Sequence, residues 1–127
     1  MVKADHPFLS KPTEKPLVAL KGQRNGYIML APSRETLHYA DLDSDVLLAA
    51  QAWLTQLEQL GSPRAYWIVL SEVTPHLHIH LFPRWPQDTL SGLPLFESRE
   101  NLPQPQWTDE ALSALKLWAA AYQVEIL

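Results

Sequence analysis

The sequence HLHIHLF at residues 76–82 decides the fold of this 127-residue chain. Because successive side chains of an extended strand point to opposite faces, this alternation predicts a strand. Its aliphatic residues then enter a core, while His76, His78 and His80 line up on the other face. Imidazoles are costly to hold beside apolar packing unless they are hydrogen-bonded or used. We therefore expect this face to meet a polar group.

The residues before the stretch predict a hairpin, a helix and a further strand. Apolar runs at 17–20 and 27–31 flank a segment rich in turn formers, which indicates a hairpin. Asp43 or Ser44 suits the start of a helix that ends at Gly61. The run 65–71 is dense in β-branched and aromatic residues and predicts a strand that returns through a short loop into the histidine strand.

The remaining segments predict less regular structure around one last helix. Residues 1–16 are interrupted by prolines and are expected to form an irregular arm. Five prolines between residues 83 and 106 predict an irregular segment over 83–107, with a short strand near 95–96. Thr108 is expected to cap a C-terminal helix over 108–123. The chain is thus predicted to be one α+β domain, residues 1–127, with an antiparallel sheet, one main helix on it and a C-terminal helix.

Composition narrows the function classes. The net charge of −4 argues against general nucleic-acid binding, which needs a basic surface. No apolar window is long enough to span a membrane, and the start lacks a signal-peptide pattern, so we expect a cytoplasmic protein without membrane partners. Half of the basic residues lie between Lys11 and Arg34. They form either a solvated rim or a local positive field that attracts a polyphosphate.

The run TPHLHIHLFPR, residues 74–84, resembles the signature of the histidine triad superfamily, in which three histidines alternate with apolar residues. The stretch GYIMLAP at 26–32 is similar to the family's glycine-to-proline segment before its helix. Together the likeness covers about residues 17–84. It implies a histidine-triad-like fold and a nucleotide as substrate.

The resemblance also implies roles for the three histidines. His78 stands at the position of the family's nucleophile, His76 would hold and polarise it, and His80 would contact the phosphate. Neutral imidazole can attack an α-phosphorus, which would give a covalent nucleotidyl-histidine that water later hydrolyses. Hydrolysis of dinucleoside polyphosphates, hydrolysis of phosphoramidates and nucleotidyl transfer all remain open, and the basic stretch favours polyphosphates. No cofactor is required, although Mg²⁺ can accompany a polyphosphate. Many family members are homodimers, which makes a homodimer an expectation here.

Candidate substrate-binding residues flank the triad. The family's polar loop is replaced by Ser71, Glu72 and Val73. Because an anionic Glu72 repels phosphate, the loop's contact with phosphate is expected to be weakened, moved to Thr74, or replaced. Arg84 could reach a leaving phosphate, although strand-end arginines are usually only solvated. Two further residues, Asn25 and Tyr27, could contact base or sugar, against the ordinary alternatives of a turn residue and a core aromatic.

Two other functions stay open from the sequence. The altered loop is compatible with a nucleotide sensor that binds without turnover. Histidines two apart on a strand can also share a zinc ion, which Glu72 could help to ligate. Measured metal content would separate the second alternative from nucleotidyl transfer. His6 and His38 are expected to be ordinary surface histidines.

Overall fold

Five strands form one sheet in the computed structural model of the chain, which describes residues 7–9, 11–101 and 104–127. The strands are β1 (Leu17–Lys21), β2 (Ile28–Pro32), β3 (Arg64–Ile68), β4 (Ile79–Arg84) and β5 (Val124–Ile126). Their order across the sheet is β3-β4-β2-β1-β5. The predicted hairpin is confirmed as β1 and β2, and β4 lies antiparallel between β2 and β3. Strand β5 pairs parallel to β1, so the sheet is mixed rather than wholly antiparallel.

Three α-helices accompany the sheet within the part of the chain that the structure describes. They are α1 (Ser44–Gln59), α2 (Gly92–Glu97) and α3 (Asp109–Tyr122). The predicted helix starts are confirmed, since Asp43 is the N-cap of α1 and Thr108 that of α3. The hydroxyl of Thr108 accepts a hydrogen bond from the backbone N–H of Ala111 at 3.1 Å, which satisfies one of the unpaired donors of the first turn. These observations confirm the α+β class.

Helices α1 and α3 cover one face of the sheet and form the main core. Trp53 and Leu57 of α1 are completely buried there, against Ile79 and Leu81 of β4. The opposite face of β4 turns Phe82 toward Leu95 and Phe96 of α2, in a separate aromatic cluster. Alternation along β4 therefore places its aliphatic residues under the helices and leaves His80 on the other face.

Three details of the predicted structure are wrong. The triad strand begins at Ile79, which pairs with Leu30. The residues before it bond to the end of β2 and the following loop instead, His76 through its ring and Leu77 through its backbone N–H. The expected strand near residues 95–96 is helix α2 instead. The strand expected over 65–71 is shorter, Arg64–Ile68. Strand β5 was not predicted, and His6 lies outside the described residues.

Three tryptophan side chains stabilise the turn between β1 and β2 by hydrogen bonds. The indole N–H of Trp53 donates to the carbonyl of Gly26, that of Trp85 to Asn25, and that of Trp107 to Gly22, each at 2.9 Å. Gly26 has φ 81°, a backbone conformation that favours glycine. A Cβ at Gly22 would lie 2.0 Å from the ring of Tyr27. The turn is therefore fixed by residues far away in sequence, and it holds Tyr27 at the edge of the histidine face.

No helix in the described ranges is both long enough and apolar enough to cross a membrane.

Candidate active site

His76 is bound at both ring nitrogens by backbone groups. The N–H of Thr36 donates to Nδ1 at 2.9 Å, so Nδ1 carries a lone pair. The proton must then lie on Nε2, which donates to the carbonyl of Pro32 at 2.8 Å. Only 1% of the residue is exposed. His76 therefore joins the end of β2 and the following loop to the triad, and neither nitrogen remains to attack a substrate.

His78 has the opposite arrangement. Its Nδ1 donates to the carbonyl of His76 at 2.8 Å, which leaves the lone pair of the neutral ring on Nε2. The acceptor is a backbone carbonyl only two residues earlier, so it is fixed relative to His78 and restricts rotation of the ring. On the other side, the backbone N–H of His78 donates to the hydroxyl of Ser71 at 3.4 Å. The chain itself thus fixes one tautomer of His78 and aims its nucleophilic nitrogen.

The ring of His78 is packed on both sides by aromatic groups. Phe8 stacks on it with a centroid distance of 4.9 Å, and His80 meets it edge-on at 5.1 Å. Phe8 is itself buried against Val18 and Ala31 of the hairpin. These contacts restrict the imidazole and cover part of its surface, since only 8% of His78 is exposed.

His80 is held neutral beside Tyr27. Burial, followed by the neighbouring His78 and Arg99, lowers the pKa of His80 to about 4. Burial likewise raises the pKa of Tyr27 to about 12. The Tyr27 hydroxyl lies 2.7 Å from Nδ1 of His80. At neutral pH this is a hydrogen bond between two uncharged groups.

The tautomer of His80 is set by the direction of its hydrogen bond with Tyr27. Arg99 lies near this pair and lowers the pKa of the phenol, against the larger effect of burial. Where the phenol O–H donates to Nδ1 of His80, the imidazole proton lies on Nε2. That arrangement would present a lone pair on His78 and an N–H donor on His80, the pair of functions needed to attack a phosphorus and bind its oxygens.

A cavity of about 490 Å³ opens beside His80. Tyr27, Met29 and Phe82 give it an apolar side, while Lys21 and Arg99 bring positive charge. Its remaining lining residues are Gly22, Gln23, Arg24, Glu100 and Gln104. An aromatic wall beside cationic groups suits a ligand that combines a flat base with phosphate.

The four predicted substrate-binding residues fall in different places. Tyr27 lines the cavity and bonds to His80. Thr74 is half-buried in the loop before His76. The side-chain oxygen of Asn25 accepts from the N–H of Thr108, and its backbone binds Trp85 and Pro105, contacts that give it a structural role.

Arg84 is the last residue of β4, in register with Arg64 of β3. Six residues of extended chain separate Arg84 from His78, a path of roughly 20 Å. Of the predicted binding residues, the structure therefore brings only Tyr27 into direct contact with the triad.

Three residues of the site had not been singled out from sequence. Thr36 binds His76 through its backbone, which no side-chain pattern reveals. Phe8 and Arg99 come from segments expected to be irregular. The one signal that the sequence offers for the cavity is a basic residue close to an aromatic one, Arg99 shortly after Phe96.

The triad offers little to a metal ion. Among the described residues, no group of three His, Asp or Glu side chains is placed to hold one. Both nitrogens of His76 and Nδ1 of His80 already have hydrogen-bond partners. The Nε2 atoms of His78 and His80 take part in none of the triad's hydrogen bonds described above.

Comparisons with known proteins give matches of low identity to solved structures. No family model and no curated protein matches the chain. A Zn-bound histidine triad family protein from Mycobacterium smegmatis matches with 16% identity over 96% of this chain and 88% of that one, with a TM-score of 0.46. A hypothetical histidine triad nucleotide-binding protein from Sulfolobus tokodaii strain 7 has 20% identity over 91% and 83%, with a TM-score of 0.42.

Proposed function

We propose that this protein hydrolyses or transfers the nucleotidyl group of a nucleoside phosphate, and that His78 forms a covalent intermediate at the α-phosphorus. The observation that supports this most directly is the 2.8 Å hydrogen bond from Nδ1 of His78 to the carbonyl of His76. It selects the tautomer with a nucleophilic Nε2 without any change in charge. The histidine triad likeness agrees with this chemistry.

The reaction has two displacements. The Nε2 lone pair of His78 attacks the α-phosphorus, a P–N bond forms, and the bond to the leaving oxygen breaks with its electron pair on that oxygen. The ring becomes positively charged, which strengthens the hydrogen bond to the His76 carbonyl. A water then attacks the same phosphorus, the P–N electron pair returns to Nε2, and the water's surplus proton goes to solvent. With another acceptor in place of water the same intermediate gives transfer.

The other triad members position and bind. The His80 Nε2–H can donate to a phosphoryl oxygen, which gains negative charge in the transition state. The backbone carbonyl of His76 accepts a hydrogen bond from His78, and the His76 ring is hydrogen-bonded to the backbone of Pro32 and Thr36. Dinucleoside polyphosphates are the favoured substrates, with Mg²⁺ as a partner of the phosphate chain rather than a resident cofactor.

Nucleotide release by wild type and His78→Ala tests the proposal. The panel contains diadenosine tetraphosphate and an adenosine phosphoramidate, each with Mg²⁺ and with EDTA. We expect release to fall at least about 1,000-fold in His78→Ala, as for loss of a covalent nucleophile. The matched control is His38→Ala, which removes an exposed histidine far from the triad in sequence and is expected to keep full activity.

Rapid quench with radiolabelled nucleotide provides the second readout. Wild type should show an acid-labile nucleotidyl adduct that His78→Ala lacks. Turnover that survives in His78→Ala would contradict the proposal. Tight nucleotide binding without any turnover by wild type would instead support the sensor alternative. The homodimer and the cytoplasmic location remain predictions.

A further inference from the structure

We propose that Arg99 is a specificity-determining residue, which binds the anionic leaving group of the substrate in the cavity beside His80. The inference rests on the proposed nucleotidyl chemistry at His78 and narrows its substrates to those that leave as a phosphate chain. Arg99 lies in the segment after α2, outside the stretch that resembles the histidine triad signature.

The guanidinium of Arg99 is held in a defined place. Its Nη1 donates to the carbonyl of Phe96 at 2.8 Å, and its central carbon lies 3.9 Å from the centre of the Phe96 ring. The same ring meets the His80 imidazole edge-on at 5.0 Å. One aromatic ring thus separates a fixed cation from the triad. Guanidinium has five N–H donors, so the bond to the Phe96 carbonyl leaves donors for an anion.

The cationic residues that line the cavity are not equally available to bind an anionic ligand. Arg24 lines the cavity, but it is buried in an ion pair with Asp88, whose Oδ1 accepts from its Nη2 at 2.9 Å. Lys21 is exposed at the rim, and Glu100 is the acidic residue of the lining. Arg99 is therefore the cation that joins the triad to the cavity interior. A planar guanidinium can bind two phosphate oxygens at once, which a lysine ammonium does less specifically.

The chemistry of the leaving group also favours substrates that release a phosphate chain. A phosphate chain departs as an anion, which a neighbouring cation stabilises as the P–O bond breaks. An amine, as in a phosphoramidate, must gain a proton when the P–N bond breaks. Arg99 cannot supply that proton at neutral pH, because guanidinium does not lose one. Burial lowers the pKa of His80 to about 4, so at neutral pH it is mostly neutral and a poor source of that proton.

Substrate preference measured in Arg99 variants tests the inference. The kcat/KM values for diadenosine tetraphosphate and for adenosine phosphoramidate are compared in wild type, Arg99→Gln and Arg99→Lys. We expect Arg99→Gln to lose about 10- to 100-fold on the polyphosphate and less than about threefold on the phosphoramidate. Arg99→Lys should recover part of the loss. Arg64→Gln, an exposed arginine on the edge strand β3, is the control with the same change in charge.

Binding of inorganic tripolyphosphate separates this inference from the proposed function. Calorimetry should show binding to wild type that weakens about tenfold in Arg99→Gln and is unchanged in Arg64→Gln. That result supports the anion site even if neither nucleotide is turned over, in which case only the proposed function fails. Equal binding by wild type and Arg99→Gln, or equal losses on both nucleotides, overturns the role of Arg99 while the His78 chemistry stands.

Discussion

The two faces of the sheet are stabilised by different interactions. The face under α1 and α3 is a continuous apolar core, in which Trp53 and Leu57 are fully buried. The opposite face holds three buried imidazoles, and each is fixed by a specific hydrogen bond rather than by shape alone. An apolar core tolerates repacking, whereas a buried polar group is costly once it loses its partner. The first face should therefore control stability, and the second should couple stability to activity.

The largest expected effect is the loss of stability caused by a substitution in the core under α1 and α3. Trp53→Ala removes a completely buried ring and leaves the Gly26 carbonyl without its donor, so we expect the free energy of unfolding to fall by about 3–5 kcal/mol. Trp67→Ala, on the edge strand and 41% exposed, should cost less than about 1 kcal/mol. Urea denaturation of both variants measures the difference. Similar losses in the two variants would show that the helix-covered core is not the main source of stability.

The second largest expected effect distinguishes the structural role of His76 from the chemical role of His78. His76→Ala leaves the Thr36 N–H and the Pro32 carbonyl without partners, which should destabilise the protein by about 3 kcal/mol. Activity should fall as well, because the His76 ring anchors the backbone segment whose carbonyl orients His78. His78→Ala is the comparison, with complete loss of turnover and a stability loss of about 1 kcal/mol. If both variants lose stability equally, His76 does not have the structural role assigned to it.

The smallest expected effect is a dependence of stability on pH. The unfolded chain protonates His80 near its ordinary pKa of 6.5, whereas the folded chain resists protonation down to about 4. The unfolded state therefore binds more protons in this window, and acidification from pH 7 to 5 should lower the free energy of unfolding by about 2 kcal/mol from this residue.

Denaturation at the two pH values, in wild type and His80→Gln, isolates that contribution. The variant can still accept a hydrogen bond from Tyr27 but has no imidazole to titrate. A smaller loss on acidification in His80→Gln is the expected result. The same slope in both proteins would assign the effect to other groups.

Local patterns in the sequence predict most of the helix-covered face. The hairpin, the long helix and the capped C-terminal helix follow from apolar periodicity, turn residues and N-cap preferences, all of which act within a few positions. The start of β4 does not follow, since His76 binds the backbone at Pro32 and Thr36 some forty positions away. Strand β5 is only three residues long, too short for a periodic signal.

The candidate site is predictable only in part for the same reason. The alternation of histidines indicates which residues share a face, and His80 lies on the face opposite Ile79 and Leu81 as expected. Arg84 and Asn25 are candidates from the sequence only because of their nearness to the triad or their place in a turn. Arg99 comes close to His80 through the tertiary packing of Phe96 in α2, which a sequence pattern does not encode. Long-range contacts therefore determine which polar residues complete the site.

The three indole N–H groups that fasten the β1–β2 turn also give the protein built-in spectroscopic reporters. Each belongs to a different part of the chain, and each ends on a carbonyl of the same short turn. Their resonances in a nitrogen-15 spectrum would lie apart from the crowded amide region. Slow exchange of these protons with deuterated solvent would report that the wall carrying Tyr27 stays closed, and a ligand in the cavity would shift the Trp107 signal beside Gly22 before the others.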